Sequence, residues 1–131
     1  MASTDKLCIG TAQFGNSYGI TNKNEIIETN SAERIIREAF EKGINYLDTA
    51  QAYGKAEEII GKCAKYNQNL KIISKLKKIE ISQGSKDLCK ILEKEFFESL
   101  IKLRSQYIDT YLVHNVKDLF SEEGEVLINW L

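Results

Sequence analysis

Four ionisable side chains stand at equivalent places in this sequence, each at or just after the end of an apolar run. Asp48 ends the second run, Tyr53 lies in the loop after it, Lys75 ends the third run and His114 ends the fourth. A nearby ammonium group makes a phenol a stronger acid, because the positive charge favours the phenolate. A carboxylate would hold the ammonium in place, and an imidazole would hydrogen-bond a carbonyl oxygen. Such a set suits protonation of a carbonyl oxygen while a cofactor delivers hydride to its carbon.

Three of the four also have a purely structural interpretation. Asp48 could cap a turn, Lys75 could be solvated at a strand end, and His114 could be a satisfied core residue. The catalytic hypothesis rests on the four together, because each falls at the carboxyl end of a predicted strand or in the loop that follows it.

The apolar runs predict strands near residues 6–11, 44–48, 70–75 and 107–114, with helices between them. This alternation predicts an α/β fold with a parallel sheet and right-handed crossovers. In a parallel barrel the carboxyl ends of the strands share one rim, where such folds place their chemistry. The four side chains are therefore expected to converge.

Helix starts and the first connection are predicted from side-chain chemistry. Gly43 is expected to stop the first helix, and residues 12–19, which include two glycines, are expected to form a polar loop. The side chains expected to cap helices are Asn30 or Ser31, Ser85 and Ser121.

Composition excludes several classes of function. The 131 residues suffice for one domain, residues 1–131, and a net charge of -1 without a basic run argues against a nucleic-acid partner. No apolar run is long enough to span a membrane, and no signal peptide is recognisable. Three separated cysteines predict reduced thiols in a cytoplasmic protein, and a single histidine without paired cysteines argues against a metal site.

Several motifs together resemble the N-terminal part of a bacterial-type aldo-keto reductase, from Leu7 to about Leu131. The segment Asp48-Thr49-Ala50-Gln51-Ala52-Tyr53-Gly54-Lys55-Ala56-Glu57 is the most specific of them, although Ala56 stands where many members have serine. The other matching segments are residues 10–15, 43–47, 73–75 and 103–114.

The resemblance implies roles for individual residues. Asp48, Tyr53, Lys75 and His114 match the catalytic tetrad of that family, with Tyr53 as the general acid and His114 also contacting the substrate. A small aldehyde or ketone is the implied substrate.

The resemblance also implies a nicotinamide cofactor. NADPH is expected, with NADH as the alternative, and Thr11, Ala12 and Asp48 are expected near the nicotinamide ribose. In that family the adenosine and phosphate contacts lie mainly in the C-terminal half, so this chain alone is expected to bind NADPH weakly.

Length is the large departure from the family pattern, because a complete eightfold barrel of TIM type needs about 250 residues. The sequence predicts only the first four βα units, a half-barrel with two free strand edges.

One hypothesis is a carbonyl reductase represented by its N-terminal half, completed by a missing C-terminal half. The second is a truncated, non-catalytic half-barrel that binds or self-associates, for example as a homodimer through those edges. A flavodoxin-type module is a third, weaker interpretation, since it leaves the placement of the tetrad to chance.

Overall fold

A four-stranded parallel sheet forms the centre of the molecule. The computed structural model describes residues 4–19, 26–78 and 87–131. Within these ranges the strands run in the order β1-β2-β3-β4, and each neighbouring pair is parallel. Their bounds are Cys8–Gly10 for β1, Tyr46–Asp48 for β2, Lys71–Leu76 for β3 and Thr110–Val113 for β4. The predicted α/β class and the parallel order of consecutive strands are confirmed.

Helices connect the strands and pack on one face of the sheet. Within the described residues the α-helices are α1 (Ala12–Gly15), α2 (Thr29–Glu41), α3 (Ala56–Cys63), α4 (Leu88–Leu103) and α5 (Gly124–Trp130). None of the helices in the described ranges is both long and apolar enough to cross a membrane.

Helix α2 shows how local sequence sets these elements. Its buried residues Ala32, Ile36 and Ala39 recur at helical spacing, so one face packs on the core while the rest is solvated. Gly43 follows the helix with a φ of 77°, a conformation that costs glycine little and other residues more. The predicted stop at Gly43 is confirmed.

Two of the predicted caps and one predicted loop are wrong. Helix α2 begins at Thr29, before Asn30 or Ser31, because the Ala32 N–H already donates to the carbonyl of Glu28, and no side chain caps the helix. Helix α5 begins only at Gly124, since the Ser121 hydroxyl donates to the carbonyl of Asp118 and closes the preceding 3₁₀ turn.

The segment predicted as a loop over residues 12–19 begins with the short helix α1, whose Phe14 is buried and anchors the turn. The predicted cap Ser85 lies outside the described residues, and Asp87 occupies the position before α4.

The hydrophobic core fills the space between the sheet and the helices. On β3 the side chains of Ile72, Ser74 and Leu76 are buried under the helices, so the alternate residues face the opposite side. Asp48 pairs with Ile73 in the β2–β3 register, and Lys75 lies two residues further along the same face. Because side chains alternate between the two faces of a strand, Asp48 and Lys75 lie on the same face of the sheet, the face that would line a barrel. The buried apolar residues of the core include Leu47, Ile59, Ile60, Leu92 and Leu103.

Candidate active site

The carboxylate of Asp48 and the ammonium of Lys75 form the centre of the site. Lys75 Nζ lies 2.6 Å from Asp48 Oδ1 and donates a second hydrogen bond of 2.9 Å to the carbonyl of Thr49. The side chain of Lys75 is 17% exposed and that of Asp48 is 34% exposed, so the pair is partly shielded from water. These two contacts fix the ammonium at the carboxyl ends of β2 and β3.

Tyr53 lies against this pair, with His114 on its other side. Lys75 Nζ is 5.2 Å from the centroid of the Tyr53 ring. The rings of Tyr53 and His114 meet edge to face, with centroids 5.7 Å apart and planes at 84°. The structure therefore brings together all four side chains that the sequence singled out at strand ends.

A backbone hydrogen bond to β3 fixes the main chain at His114. Its N–H donates to the carbonyl of Leu76 at 3.1 Å, one step beyond the last pair of the β3–β4 register. His114 therefore lies directly after the end of β4, and Lys75 lies near the end of the neighbouring strand β3. His114 is solvent-exposed.

The loop that carries Tyr53 is tightly folded. The Tyr53 N–H donates to the carbonyl of Ala50, and the Tyr53 carbonyl accepts from the N–H of Ala56. Gly54 has a φ of 55°, which turns the chain sharply into α3. A Cβ at Gly15 would overlap the Tyr53 carbonyl, so only glycine lets α1 approach this loop so closely.

Thr11 and Ala12 lie beside Asp48 at the end of β1. The Thr11 N–H and hydroxyl both donate to the Asp48 carbonyl, each at 2.9 Å, and Thr11 is fully buried. Ala12 begins α1 and is half-buried. These contacts place Thr11 as a support of the Asp48 backbone.

The face of β1 next to Asp48 leaves room for a ligand. Gly10 pairs with Asp48 in the β1–β2 register, and a Cβ built at Gly10 would meet no atom within 4 Å. An acidic acceptor at the edge of open space fits the hydroxyl groups of a ribose. The residues present are therefore compatible with the nicotinamide-riboside end of a dinucleotide.

Sequence reasoning assigned no role to two polar residues that the structure places around the site. Glu57, in the first turn of α3, is 1% exposed and accepts a 2.8 Å hydrogen bond from the buried Ser74 hydroxyl. The Gln51 side chain bonds to Lys77, just beyond β3, and to Glu95 in α4. The sequence shows Glu57 only as part of the motif that follows Asp48, and tertiary contacts are needed to reveal its burial.

Tyr111 is a second tyrosine near the tetrad, on the opposite face of the sheet. It pairs with Ser74 in the β3–β4 register and packs on Phe96 and Trp130. Burial, and then the charge of Glu57, raise the pKa of the Tyr111 phenol well above its ordinary range. Tyr111 is thus a poor proton donor, whereas Tyr53 adjoins an ammonium group.

The chain matches the family model described as the aldo/keto reductase family over residues 6–125. Among curated proteins, it is 34% identical over 118 residues to the aldo-keto reductase YhdN of Bacillus subtilis, a match covering 83% of this chain and 34% of that protein. It is 38% identical over 94 residues to the uncharacterized oxidoreductase YqkF of the same organism, covering 66% of this chain and 31% of that protein.

Solved structures show the same architecture. A provisionally assigned aldo-keto reductase of Pseudomonas aeruginosa, PA4992, superposes with a TM-score of 0.70 at 25% identity, over 93% of this chain and 49% of that one. The thermostable aldo-keto reductase Tm1743, solved with the inhibitor epalrestat, gives a TM-score of 0.61 at 25% identity, over 83% and 38%. The chain therefore spans about a third of the curated relatives and about half of the Pseudomonas structure.

Proposed function

Because this chain belongs to the aldo/keto reductase family, we propose that it carries the catalytic residues of an NADPH-dependent reductase of aldehydes or ketones. The observation that carries the proposal is the convergence of Asp48, Tyr53, Lys75 and His114 at the carboxyl ends of three adjacent strands. That edge is where parallel barrels place their reacting groups. A cytoplasmic location is part of the proposal, and the free thiols Cys8, Cys63 and Cys89 support it.

In this proposal each residue has a distinct role. The Tyr53 hydroxyl gives its proton to the carbonyl oxygen of the substrate, which becomes the hydroxyl of the alcohol product. Lys75 stabilises the phenolate that remains, because its ammonium lies near the Tyr53 ring. Asp48 holds the ammonium in position, and His114 donates a hydrogen bond that orients the carbonyl oxygen.

Asp48 and Thr11, with Ala12 beside them, would hold the nicotinamide end of the cofactor, and NADH is the alternative to NADPH. The cofactor, when bound, supplies the hydride that no side chain can supply. The substrate reaches Tyr53 and His114 from the open side of the sheet. A small carbonyl compound fits this arrangement, since one hydrogen-bonded oxygen is all that the two side chains must recognise.

A second proposal concerns association, because the described part of the sheet exposes both of its edges. Strands β1 and β4 are the outermost strands, and Leu112 of β4 is 41% exposed. Unpaired edges and bare apolar surface favour pairing with another chain. We propose that these edges are covered either by the C-terminal half of a barrel or by a second copy of this chain.

The test of the reductase proposal uses a complete barrel, made by joining residues 1–131 to the C-terminal half of a Bacillus subtilis relative. NADPH consumption is followed with a panel of aldehydes and ketones. Tyr53→Phe should lower kcat roughly a hundred- to ten-thousand-fold, the usual contribution of a general acid, while the NADPH affinity stays the same. Equal rates for the Tyr53→Phe variant and the parent would exclude Tyr53 as the acid.

A further inference from the structure

Gln51 ties the loop that carries Tyr53 to two other elements at once. Its side-chain amide donates a 2.6 Å hydrogen bond to the carbonyl of Glu95 in α4. Its side-chain oxygen accepts a 2.9 Å bond from the N–H of Lys77, just beyond β3, and its own N–H donates to the carbonyl of Lys75. The side chain therefore bridges this loop, the carboxyl end of β3 and the middle of α4.

We propose that Gln51 is a positioning residue that sets the ring of Tyr53 against Lys75, an inference that rests on the proposed reductase function. Gln51 lies two residues before Tyr53, and its backbone bonds to the same residue whose ammonium lies 5.2 Å from the Tyr53 ring. A shift of Gln51 relative to β3 would therefore also move Tyr53, which lies two residues further along the same loop. Misplacement of a reacting group by about 1 Å can cost about a hundred-fold in rate.

The chemistry of the contact requires an amide side chain of this length. The two partners are a backbone carbonyl and a backbone N–H, so the side chain must donate and accept at the same time. Glutamate could accept but not donate when ionised, leucine could do neither, and asparagine is one methylene shorter. The other flank of the loop is held independently, because the Asn16 amide donates to the carbonyl of Ala52 at 2.9 Å. Loss of the Gln51 contacts would thus free one side of the loop only.

The first experiment measures the Tyr53–His114 ring contact by nuclear Overhauser effects in the 131-residue chain. Gln51→Leu keeps the side-chain size but removes both side-chain hydrogen bonds, and it should weaken or abolish this contact while resonances of β1 and α2 stay unchanged. Gln51→Glu keeps the bond from Lys77 but sets a carboxylate oxygen against the Glu95 carbonyl, so it should also weaken the ring contact. Gln106→Leu, at an exposed site before β4, is the matched control and should leave the ring contact intact.

The second experiment measures kinetics in the complete barrel described above. Gln51→Leu should lower kcat about ten- to a hundred-fold with little change in KM, because binding survives while the acid is misplaced. Unchanged kcat and an unchanged ring contact in Gln51→Leu would overturn the inference, as would an equal loss in Gln106→Leu. If the parent reduces no carbonyl compound, the proposed function fails, and the ring contact alone then decides whether Gln51 positions Tyr53.

Discussion

The ammonium of Lys75 lies 2.6 Å from Asp48 Oδ1, with one residue at the end of β2 and the other near the end of β3. The pair is adjacent because both side chains leave the same face of the sheet at neighbouring strand ends. The second bond of Lys75, to the carbonyl of Thr49, keeps the ammonium from swinging into solvent. Because these two bonds already fix the ammonium, it can interact with the Tyr53 ring without first being ordered.

Replacing Lys75 by methionine should remove this charge and keep the apolar stem. In the complete barrel we expect Lys75→Met to lower kcat at least about a hundred-fold, because the proposed proton transfer from Tyr53 loses the positive charge beside its ring. Steady-state kinetics with NADPH and an aldehyde provide the measurement. Lys78→Met, at an exposed position just beyond β3, is the control and should retain the parental rate. Equal loss in both variants would contradict a specific role for Lys75.

The hydrogen bond between Glu57 and Ser74 should contribute to stability. Both side chains are essentially inaccessible to water, so Glu57→Ala leaves a buried hydroxyl without its acceptor. The expected loss in the free energy of unfolding is about 1–3 kcal/mol, measured by urea denaturation. Glu58→Ala, at the next and exposed position of α3, should change stability by less than about 0.5 kcal/mol. Similar midpoints for the two variants would show that the buried bond contributes nothing.

The three free cysteines should differ in reactivity with iodoacetamide. Burial, and then the charge of Glu33, raise the pKa of the Cys63 thiol to about 11. Burial, and then the charge of Asp48, also raise the pKa of Cys8. Alkylation needs the thiolate, so at about pH 8 the exposed Cys89 should react first and Cys63 last.

Raising the pH toward the pKa of Cys63 should accelerate its labelling, because more thiolate is then present. Mass spectrometry of digested protein gives the rates, and labelling in urea gives the reference for an accessible chain. Fast modification of Cys63 at about pH 8 in the folded protein would contradict its burial.

The 131-residue chain, prepared by itself, should self-associate at micromolar concentration. The outer edges of β1 and β4 and the bare inner face of the sheet favour pairing with a second copy. Sedimentation velocity measures the association, and Leu112→Lys on that inner face should weaken it. Phe120→Lys, at an exposed position in the 3₁₀ turn after β4, is the control for a change of charge. A clean monomer of the parent chain would contradict this prediction.

Local sequence determined the elements of this protein, because strand and helix formation depend on the spacing of apolar residues and on glycine. Gly43 stops α2 where expected, and three of the four strands fall within the predicted ranges, while β3 extends one residue further, to Leu76. The four candidate residues could be found by the same means, because a parallel sheet brings the carboxyl ends of its strands to one edge.

Helix starts were less predictable, since an exposed first turn can be satisfied by water and need not follow the nearest capping side chain. Helix α5 illustrates this, because the expected cap Ser121 closes a preceding 3₁₀ turn instead.

Only the tertiary structure decided which polar residues support the site. Nothing in the sequence near Gln51 predicts its partners, because Glu95 lies 44 positions away and Lys77 lies 26 away. The burial of Glu57 likewise depends on β3 lying beneath α3, which places Ser74 opposite its carboxylate. Contacts of this kind arise from the relative placement of separate elements, and a local pattern of residue types carries no information about that placement.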